Sequence, residues 1–185
     1  MRSSFLKSIV LIAVLALSAP STRSLSHGAG SPAAQPVVKL QGLDGHFYDV
    51  SEMRGSVILV SFGATWCAPC SGELAALEDL KREYIRKPVK FLWISIDNPA
   101  QASDGKLKAY AKDHKLTIPV LRDPTKTTYL QFSDRIRLPL NVFFSKDGRF
   151  DEPVTFGMSS EPEVYKARVR QRLDKLLGSS RSSAE

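Results

Sequence analysis

Two largely apolar runs stand out in the pattern of hydrophobic and polar positions, at residues 56–62 and 89–97. Runs of this kind are typical of strands that are buried on both faces of a sheet. Residues 71–85, between the two runs, carry apolar side chains at helical spacing and predict an α-helix. These side chains are Leu74, Leu77, Leu80 and Tyr84.

Further elements follow from turn residues and spacing. Asp44-Gly45 and Asp147-Gly148 each separate two short extended segments and predict two β-hairpins, the first with a two-residue turn. A second helix is predicted over 105–115 and an extended piece over 118–121. A last helix follows Ser160 and buries one apolar face. That face consists of Tyr165, Val169, Leu173 and Leu176. The order of elements predicts an α/β domain with a central sheet and helices on both faces.

The first 26 residues differ in composition from the rest of the chain. A basic start with Arg2 and Lys7 precedes an uncharged apolar stretch over 9–17. This pattern is typical of a secretory signal peptide, and an uncleaved N-terminal anchor is the alternative. We predict a leader over 1–26, a flexible linker over 27–36, one domain over 37–177 and a disordered tail over 178–185.

The formal net charge is +7, and part of it lies in the leader. Several cations fall on the last predicted helix, among them Lys166, Arg170 and Arg172. We interpret them as a solvated helix face, and a docking surface for an acidic partner or an anionic lipid is the alternative. No segment resembles a nucleic-acid-binding module.

Cys67 and Cys70 are the only two cysteines of the 185 residues, in the stretch Trp66-Cys67-Ala68-Pro69-Cys70. A framework of several disulfides and a four-ligand structural zinc site both need more ligands than this pair supplies. Two thiols at this spacing can close a small, reversible disulfide. Redox chemistry is therefore the favoured interpretation, with two buried or adventitiously paired thiols as the alternative.

The position of the pair before a helix predicts different roles for the two cysteines. Unpaired N–H groups and the helix dipole favour a thiolate at Cys67, the predicted nucleophile. Cys70 lies one turn inside the helix and is predicted to resolve the mixed disulfide. Pro69 suits the first helical turn. Because Ala68 is small and uncharged, no imidazolium stabilises the thiolate, which favours a reductant over a strong oxidant.

From about Leu40 onward, the chain resembles the exported thioredoxin-like thiol–disulfide oxidoreductases of the TlpA/ResA/DsbE kind. The matching stretches are 44–45, 59–70, Glu73, Leu77, 119–123, 138–139 and 143–148. The resemblance implies a thioredoxin-like fold with a mixed sheet flanked by helices, an N-terminal hairpin and an inserted segment near 97–113. It also implies a cis peptide bond before Pro139, opposite the disulfide, with Leu138 offering backbone contacts to the substrate.

Two further side chains take candidate roles. Glu73 matches a carboxylate that family members place near the cysteines, where it could accept the proton of Cys70 or raise the thiol pKa values. A glutamate favoured by the helix dipole is the alternative. Trp66 is predicted to shield the disulfide and contact substrate, with a packing role as the alternative.

Several positions depart from the family pattern. Ser61 stands where cytoplasmic thioredoxins carry a buried Asp, and Gly63 replaces an aromatic residue. The stretch 135–137 before Leu138-Pro139 lacks the usual Gly. These departures concern the surroundings of the cysteines, whereas the cysteine pair itself is intact.

The resulting functional hypothesis is an exported enzyme, with the periplasm as the best-fitting compartment, that reduces disulfides of exported proteins. The resemblance implies apocytochromes or copper-site cysteines of oxidase subunits as substrates and another exported or membrane thiol protein as electron donor. We expect no cofactor, no resident metal and no nucleic-acid partner, and a membrane contact only if the leader is retained.

Two other functions fit the sequence less well. A thiol peroxidase would carry Thr three positions and Pro seven positions before its reactive cysteine, where this chain has Ala64 and Val60. A copper-binding or copper-delivery module would combine the cysteines with a histidine, but His27, His46 and His114 lie at no recognisable ligand spacing.

Overall fold

The computed structural model of the protein describes residues 35–178. The predicted leader lies outside the described residues. Of the predicted linker, only residues 35 and 36 are described, and of the predicted tail, only Gly178 is described. The proposed domain boundaries therefore stay predictions. Within residues 35–178, no helix is both long and apolar enough to cross a membrane.

Seven strands form two sheets. The strands are β1 (Lys39–Gln41), β2 (Phe47–Asp49), β3 (Val57–Gly63), β4 (Val89–Ser95), β5 (Val120–Arg122), β6 (Leu140–Phe144) and β7 (Phe150–Phe156). β1 and β2 pair as an antiparallel hairpin. The other five strands form a mixed sheet in the order β5-β4-β3-β6-β7, in which β3, β4 and β5 run parallel. β6 is antiparallel to both of its neighbours, β3 and β7.

Three α-helices and two short 3-10 turns complete the fold. The helices are α1 (Ala68–Glu83), α2 (Asp104–Asp113) and α3 (Pro162–Gly178), and the turns are Val50–Glu52 and Tyr129–Gln131. Each predicted helix is present within a few residues of its expected bounds. α1 begins three residues before the predicted start, because Pro69 fits its first turn and Cys67 takes the N-cap position. The segment predicted as an insertion contains α2 and leads into β5 at the sheet edge.

The first hairpin has a longer connection than its Asp-Gly pair predicts. The Gly42 N–H donates to the His46 carbonyl at 2.8 Å, so three residues rather than two form the turn. Asp44 accepts bonds from the His46 N–H and the Tyr48 hydroxyl, at 3.0 and 2.6 Å. Gly45 adopts a φ of +86°, which glycine tolerates without a steric cost. The extra turn residue is therefore held by side-chain bonds that the dipeptide alone does not reveal.

One face of the large sheet packs against all three α-helices. β3 contributes Val57 and Leu59 to this cluster, and α1, α2 and α3 contribute most of the remainder. The helical contributors include Leu74, Leu77, Leu80, Leu107, Tyr165, Val169, Leu173 and Leu176. The four apolar residues predicted for α1 and the four predicted for α3 are all buried.

The opposite face of the large sheet is covered by chain segments whose burial the sequence pattern did not predict. The chain leaves edge strand β5 and must cross β4 and β3 to enter β6. This crossing segment, residues 123–139, packs Tyr129 edge-on against Phe62, with ring centroids 5.4 Å apart. Val38 and Val50 of the N-terminal segment join the same cluster. Helices were expected on both faces, but here the second face is covered by short turns and extended chain.

The cations of α3 are largely used within the domain. Arg170 forms two bonds to Glu83, at 2.7 and 2.8 Å, and Arg172 bonds Asp151 at 2.7 Å. These pairs neutralise much of the positive charge that the helix carries. They favour the interpretation of a helix face satisfied by its own domain over that of a docking surface.

Gly63, at the end of β3, lies against the indole of Trp93 on β4. A Cβ at position 63 would stand 2.7 Å from Nε1 of Trp93 and 3.0 Å from its Cζ2. Trp93 is fully buried and its ring stacks on Tyr110, with centroids 5.9 Å apart. Trp93 thus occupies the space that a side chain at position 63 would need, which explains the glycine found there in place of an aromatic residue.

We predict opposite effects for two glycine-to-alanine changes. Gly63→Ala forces the buried indole to move and should lower the free energy of unfolding by about 1–3 kcal/mol. Gly72→Ala, on the exposed side of α1 with nothing near its Cβ, should raise it by about 0.5–1 kcal/mol. Urea unfolding of both variants checks this. Equal stabilities of the two variants would contradict the packing described here.

Candidate active site

The cysteine motif and the cis-proline segment meet at one end of the large sheet. Phe62, near the end of β3, pairs with Leu140 at the start of β6. Cys67 follows β3 by four residues, and the Leu138–Pro139 bond directly precedes β6 and is cis. The cis bond is the one predicted from the resemblance. A second cis bond, Glu152–Pro153, had no sequence-based prediction.

Cys67 and Cys70 form a disulfide, with an S–S distance of 2.03 Å and Cα atoms 5.3 Å apart. Cys67 occupies the N-cap of α1 without accepting a cap bond through its side chain, and Cys70 lies in the first turn. Cys67 is 5% exposed and Cys70 is fully buried. An attacking or leaving sulfur can therefore reach Cys67 more readily than Cys70.

The disulfide is bordered by exposed side chains of the motif itself. Trp66 is 52% exposed, and Ala68 and Pro69 are exposed beside it. On the other side, Leu138 is half-buried and Pro139 is buried. The Pro139 carbonyl accepts the Gly157 N–H at 2.8 Å and so ties this segment to the end of β7. A substrate would meet a nearly buried sulfur inside a largely apolar rim.

A buried carboxylate holds the loop that leads to the motif. Asp97, just after β4, accepts the Thr65 N–H and the Thr65 hydroxyl, both at 2.9 Å. The hydroxyl of Ser95 adds a bond to Asp97 at 2.8 Å. Asp97 was predicted only as the end of a strand. Its position at the carboxyl end of a strand parallel to β3 is the feature that could have indicated its proximity to the motif.

Tyr129 holds the other side of the site in a similar way. Its hydroxyl accepts the Arg137 N–H at 2.8 Å and lies 3.0 Å from the carbonyls of Arg135 and Arg137, to which it can donate. Its ring is fully buried against Phe62. The backbone before Leu138 and Pro139 is therefore anchored to the core by one side chain.

Glu73 is fully buried and accepts three hydrogen bonds. Ser61 of β3 donates at 2.7 Å, the Asn141 amide of β6 at 2.7 Å, and the Tyr165 hydroxyl of α3 at 2.8 Å. These donors come from three different elements, so the carboxyl joins them to α1. A preference for the helix dipole alone does not account for this burial and these three bonds.

Burial raises the pKa values of the two acidic groups in this cluster, Glu73 and Tyr165. It raises the pKa of the Glu73 carboxyl above its ordinary value, against the opposing effect of the bonds from Asn141, Ser61 and Tyr165. Burial likewise raises the pKa of the Tyr165 phenol well above its usual value, and the nearby Glu73 adds to the effect. Because Glu73 lies three residues after Cys70 on one helix, both project from neighbouring positions of the same face.

Ser61, Asn141 and Tyr165 had not been predicted as site residues. Ser61 had been noted only as a departure from the thioredoxin pattern, and here its hydroxyl bonds the carboxyl supplied by Glu73. Asn141 interrupts the apolar strand Leu140–Phe144 while remaining buried. A buried amide in such a strand needs a polar partner, and this was the signal in the sequence that could have located the cluster.

No group of three or more His, Cys, Asp or Glu side chains that could hold a metal ion occurs within residues 35–178. His46 lies in the exposed hairpin turn near Asp44, and the His114 ring packs on Tyr110 at a centroid distance of 4.3 Å. Neither described histidine joins the cysteines.

Comparison with known proteins places this site in a family. The profile of the AhpC/TSA family matches residues 31–150. The thioredoxin-like protein YneN of Bacillus subtilis is 33% identical over 88 residues, which are 48% of this chain and 51% of YneN. The thiol-disulfide oxidoreductase ResA of Geobacillus kaustophilus is 26% identical over 140 residues, covering 76% of each chain.

Solved structures support the fold. The chain superposes on a thioredoxin-family thiol:disulfide interchange protein of Chlorobium tepidum with a TM-score of 0.65, at 21% identity, over 80% of this chain and 98% of the other. This confirms the predicted thioredoxin-like fold. The cysteine pair and the ResA relatives confirm the predicted enzyme class, a thiol–disulfide oxidoreductase. The chain belongs to the AhpC/TSA family, with the thioredoxin-like fold and a Cys67–Cys70 pair at the start of its first helix.

Proposed function

We propose that the protein is an exported reductant that transfers two electrons from its Cys67–Cys70 dithiol to disulfides of other exported proteins. The observation that carries the proposal is the asymmetry of the pair. Cys67 is the more accessible sulfur and caps a helix, and Cys70 is enclosed one turn behind it. This arrangement suits a nucleophile followed by a resolving thiol.

The reaction has two exchange steps. The Cys67 thiolate attacks one sulfur of the substrate disulfide, forms a mixed disulfide and releases the other substrate sulfur as a thiolate. The Cys70 thiolate then attacks Sγ of Cys67, closes the Cys67–Cys70 disulfide and releases the second substrate thiolate. The substrate gains two electrons and the pair loses two. The disulfide form described here is the product of this direction, and a thiol protein must reduce it for the next turnover.

Two features support the reductive direction. The two residues between the cysteines, Ala68 and Pro69, carry no charge, so the loop itself supplies no cation to stabilise a thiolate. Glu73, buried behind the pair with a raised pKa, is suited to hold a proton, which we propose it exchanges with the resolving thiol of Cys70.

The rim residues complete the proposed site. Trp66 and Pro69 present apolar surface to the substrate, and Leu138 presents backbone groups beside the cis Pro139. Export is supported by the basic and then apolar pattern of residues 1–17. By resemblance, the substrates are cysteine pairs of apocytochromes or of copper sites in oxidase subunits, and the electron donor is another exported or membrane thiol protein.

Replacing each cysteine separately should give two distinct outcomes. Cys67→Ser removes the nucleophile and should abolish turnover of a peptide disulfide. Cys70→Ser should retain the first step and accumulate a mixed disulfide, because nothing resolves it. Thiol trapping followed by intact mass measurement distinguishes the two products. Turnover that persists in Cys67→Ser, or a mixed disulfide that accumulates only through Cys70, would contradict the assigned roles.

Glu73 should make stability depend on pH. Its pKa is raised in the folded state above the ordinary 4.5, so the folded protein retains a proton that the unfolded chain releases above that pH. The stabilisation is complete below about pH 4.5 and is lost as the pH rises through the folded-state value. Glu73→Gln should remove this contribution, whose slope is at most about 1.4 kcal/mol per pH unit. Urea unfolding across the pH range measures it.

Glu161→Gln, at an exposed carboxylate before α3, is the matched control and should leave the pH profile of the wild type unchanged. The same pair of variants tests the catalytic role. If Glu73 exchanges a proton with Cys70, Glu73→Gln should also flatten the pH dependence of mixed-disulfide resolution. Wild-type pH profiles for both stability and resolution in Glu73→Gln would contradict the proposal for this carboxyl.

A further inference from the structure

The rim of the disulfide carries positive charge as well as apolar surface. Near its end, the crossing segment 123–139 contains Arg135, Ile136 and Arg137, which are all exposed and directly precede Leu138. Ile136 is 43% exposed. Neither Arg135 nor Arg137 pairs with a carboxylate within residues 35–178. This contrasts with Arg170 and Arg172 of α3, whose charges are used inside the domain.

The two arginines are presented by a fixed backbone. The Tyr129 hydroxyl bonds the Arg137 N–H at 2.8 Å and lies 3.0 Å from the carbonyls of both arginine residues. The guanidinium of Arg137 lies over the ring of Phe156, with its carbon 4.0 Å from the centroid. A stacked guanidinium keeps its N–H edges free to bind a carboxylate. Holding a cation in place in this way lowers the entropy lost when a partner binds.

A third cation lies on the other side of the motif. Thr65 and Trp66 form one wall of an open groove, and Lys106 and Tyr110 of α2 form the other. The Lys106 ammonium bonds the Gln101 carbonyl at 2.8 Å and pairs with no carboxylate among the described residues. The acidic side chain nearest to it in the sequence, Asp104, is paired with Arg122. Cations therefore stand on both sides of Trp66 and Cys67, with Asp134 as the one acidic residue in the stretch 134–139.

We propose that this rim selects substrates whose reactive cysteine is flanked by acidic residues in an extended segment of a partner protein. Arg135 and Arg137 bind the acidic side chains on the cis-proline side, and Lys106 binds them on the α2 side. Trp66 and Ile136 contact the apolar parts of the same segment. The proposal rests on the proposed disulfide reductase function and specifies the chemistry of its substrate.

The position of the charges favours a protein segment over an anionic lipid as the occupant. The cations lie on either side of Cys67, which is only 5% exposed, at the end of the sheet where the cis Pro139 lies. An extended chain can reach that sulfur and carry charged side chains to both walls at once, whereas a headgroup offers no disulfide. Complementary charges around a reactive group chiefly increase the rate of productive encounter.

The test uses three synthetic peptides with one cysteine in a mixed disulfide, identical except for glutamate, glutamine or lysine on both sides of that cysteine. Their reduction is followed with the reduced protein at low and at high ionic strength. Wild type should reduce the glutamate peptide with a kcat/KM about tenfold above that of the lysine peptide at low salt. At about 1 M salt, where the screening length falls to about 3 Å, the preference should largely disappear.

The variant R135E/R137E should lose or invert the preference, measured as the ratio of the kcat/KM values for the glutamate and lysine peptides. The control is R86E/K90E, which makes the same change of charge at exposed positions near the start of β4, at the opposite end of the sheet. It should retain the preference. If R135E/R137E fails on the glutamine peptide, R135Q/R137Q replaces it and should show a clearly smaller preference than the wild type, because only Lys106 then remains of the three cations.

The outcomes separate the inference from the function on which it rests. Failure of the wild type to reduce any of the three peptides would overturn the proposed reductase function. Equal rates for the glutamate and lysine peptides at low salt would overturn the inference and leave the function standing. A preference that persists in both arginine variants, or that R86E/K90E abolishes equally, would also overturn the assignment to this rim.

Discussion

One buried carboxyl holds together the elements on which the active site is built. Glu73 of α1 accepts bonds from β3, β6 and α3, and all four side chains are buried. Removing a single donor would leave a buried polar group unsatisfied, at a cost of about 1–3 kcal/mol. The same carboxyl lies one turn from Cys70. The constraint that fixes the helix to the sheet therefore also places a buried carboxyl with a raised pKa near the cysteine pair.

Two further buried groups fix the disulfide from either side. Asp97 secures the loop through Thr65, and Tyr129 secures the segment before the cis proline. Cys67 is thus held between two anchored loops at the end of a parallel strand pair. These bonds hold the backbone on both sides of Cys67. The side chains of Trp66, Arg135 and Arg137 remain exposed. A site of this kind meets its substrate without first ordering a loop.

The local pattern was sufficient to predict β3, α1 and β4, because periodicity and apolar runs depend on neighbouring residues alone. The cis Pro139 and the thioredoxin-like fold came from the resemblance. The partners of Glu73 could not be predicted in this way, since they lie 12, 68 and 92 positions away in the sequence. The burial of Tyr129 and of the crossing segment could not be predicted for another reason. A covering segment without regular structure has no periodicity, and its burial follows only from the strand order.

The central claim is that the Cys67–Cys70 pair acts as a reductant, and its equilibrium reduction potential tests this most directly. The measurement equilibrates the protein with glutathione or dithiothreitol couples and quantifies the disulfide fraction. For a two-electron couple, about 30 mV corresponds to a tenfold change in the equilibrium constant. We predict a value near or below the about −270 mV of thioredoxin. A value close to the about −120 mV of a strong oxidant would contradict the account and make the protein a disulfide donor.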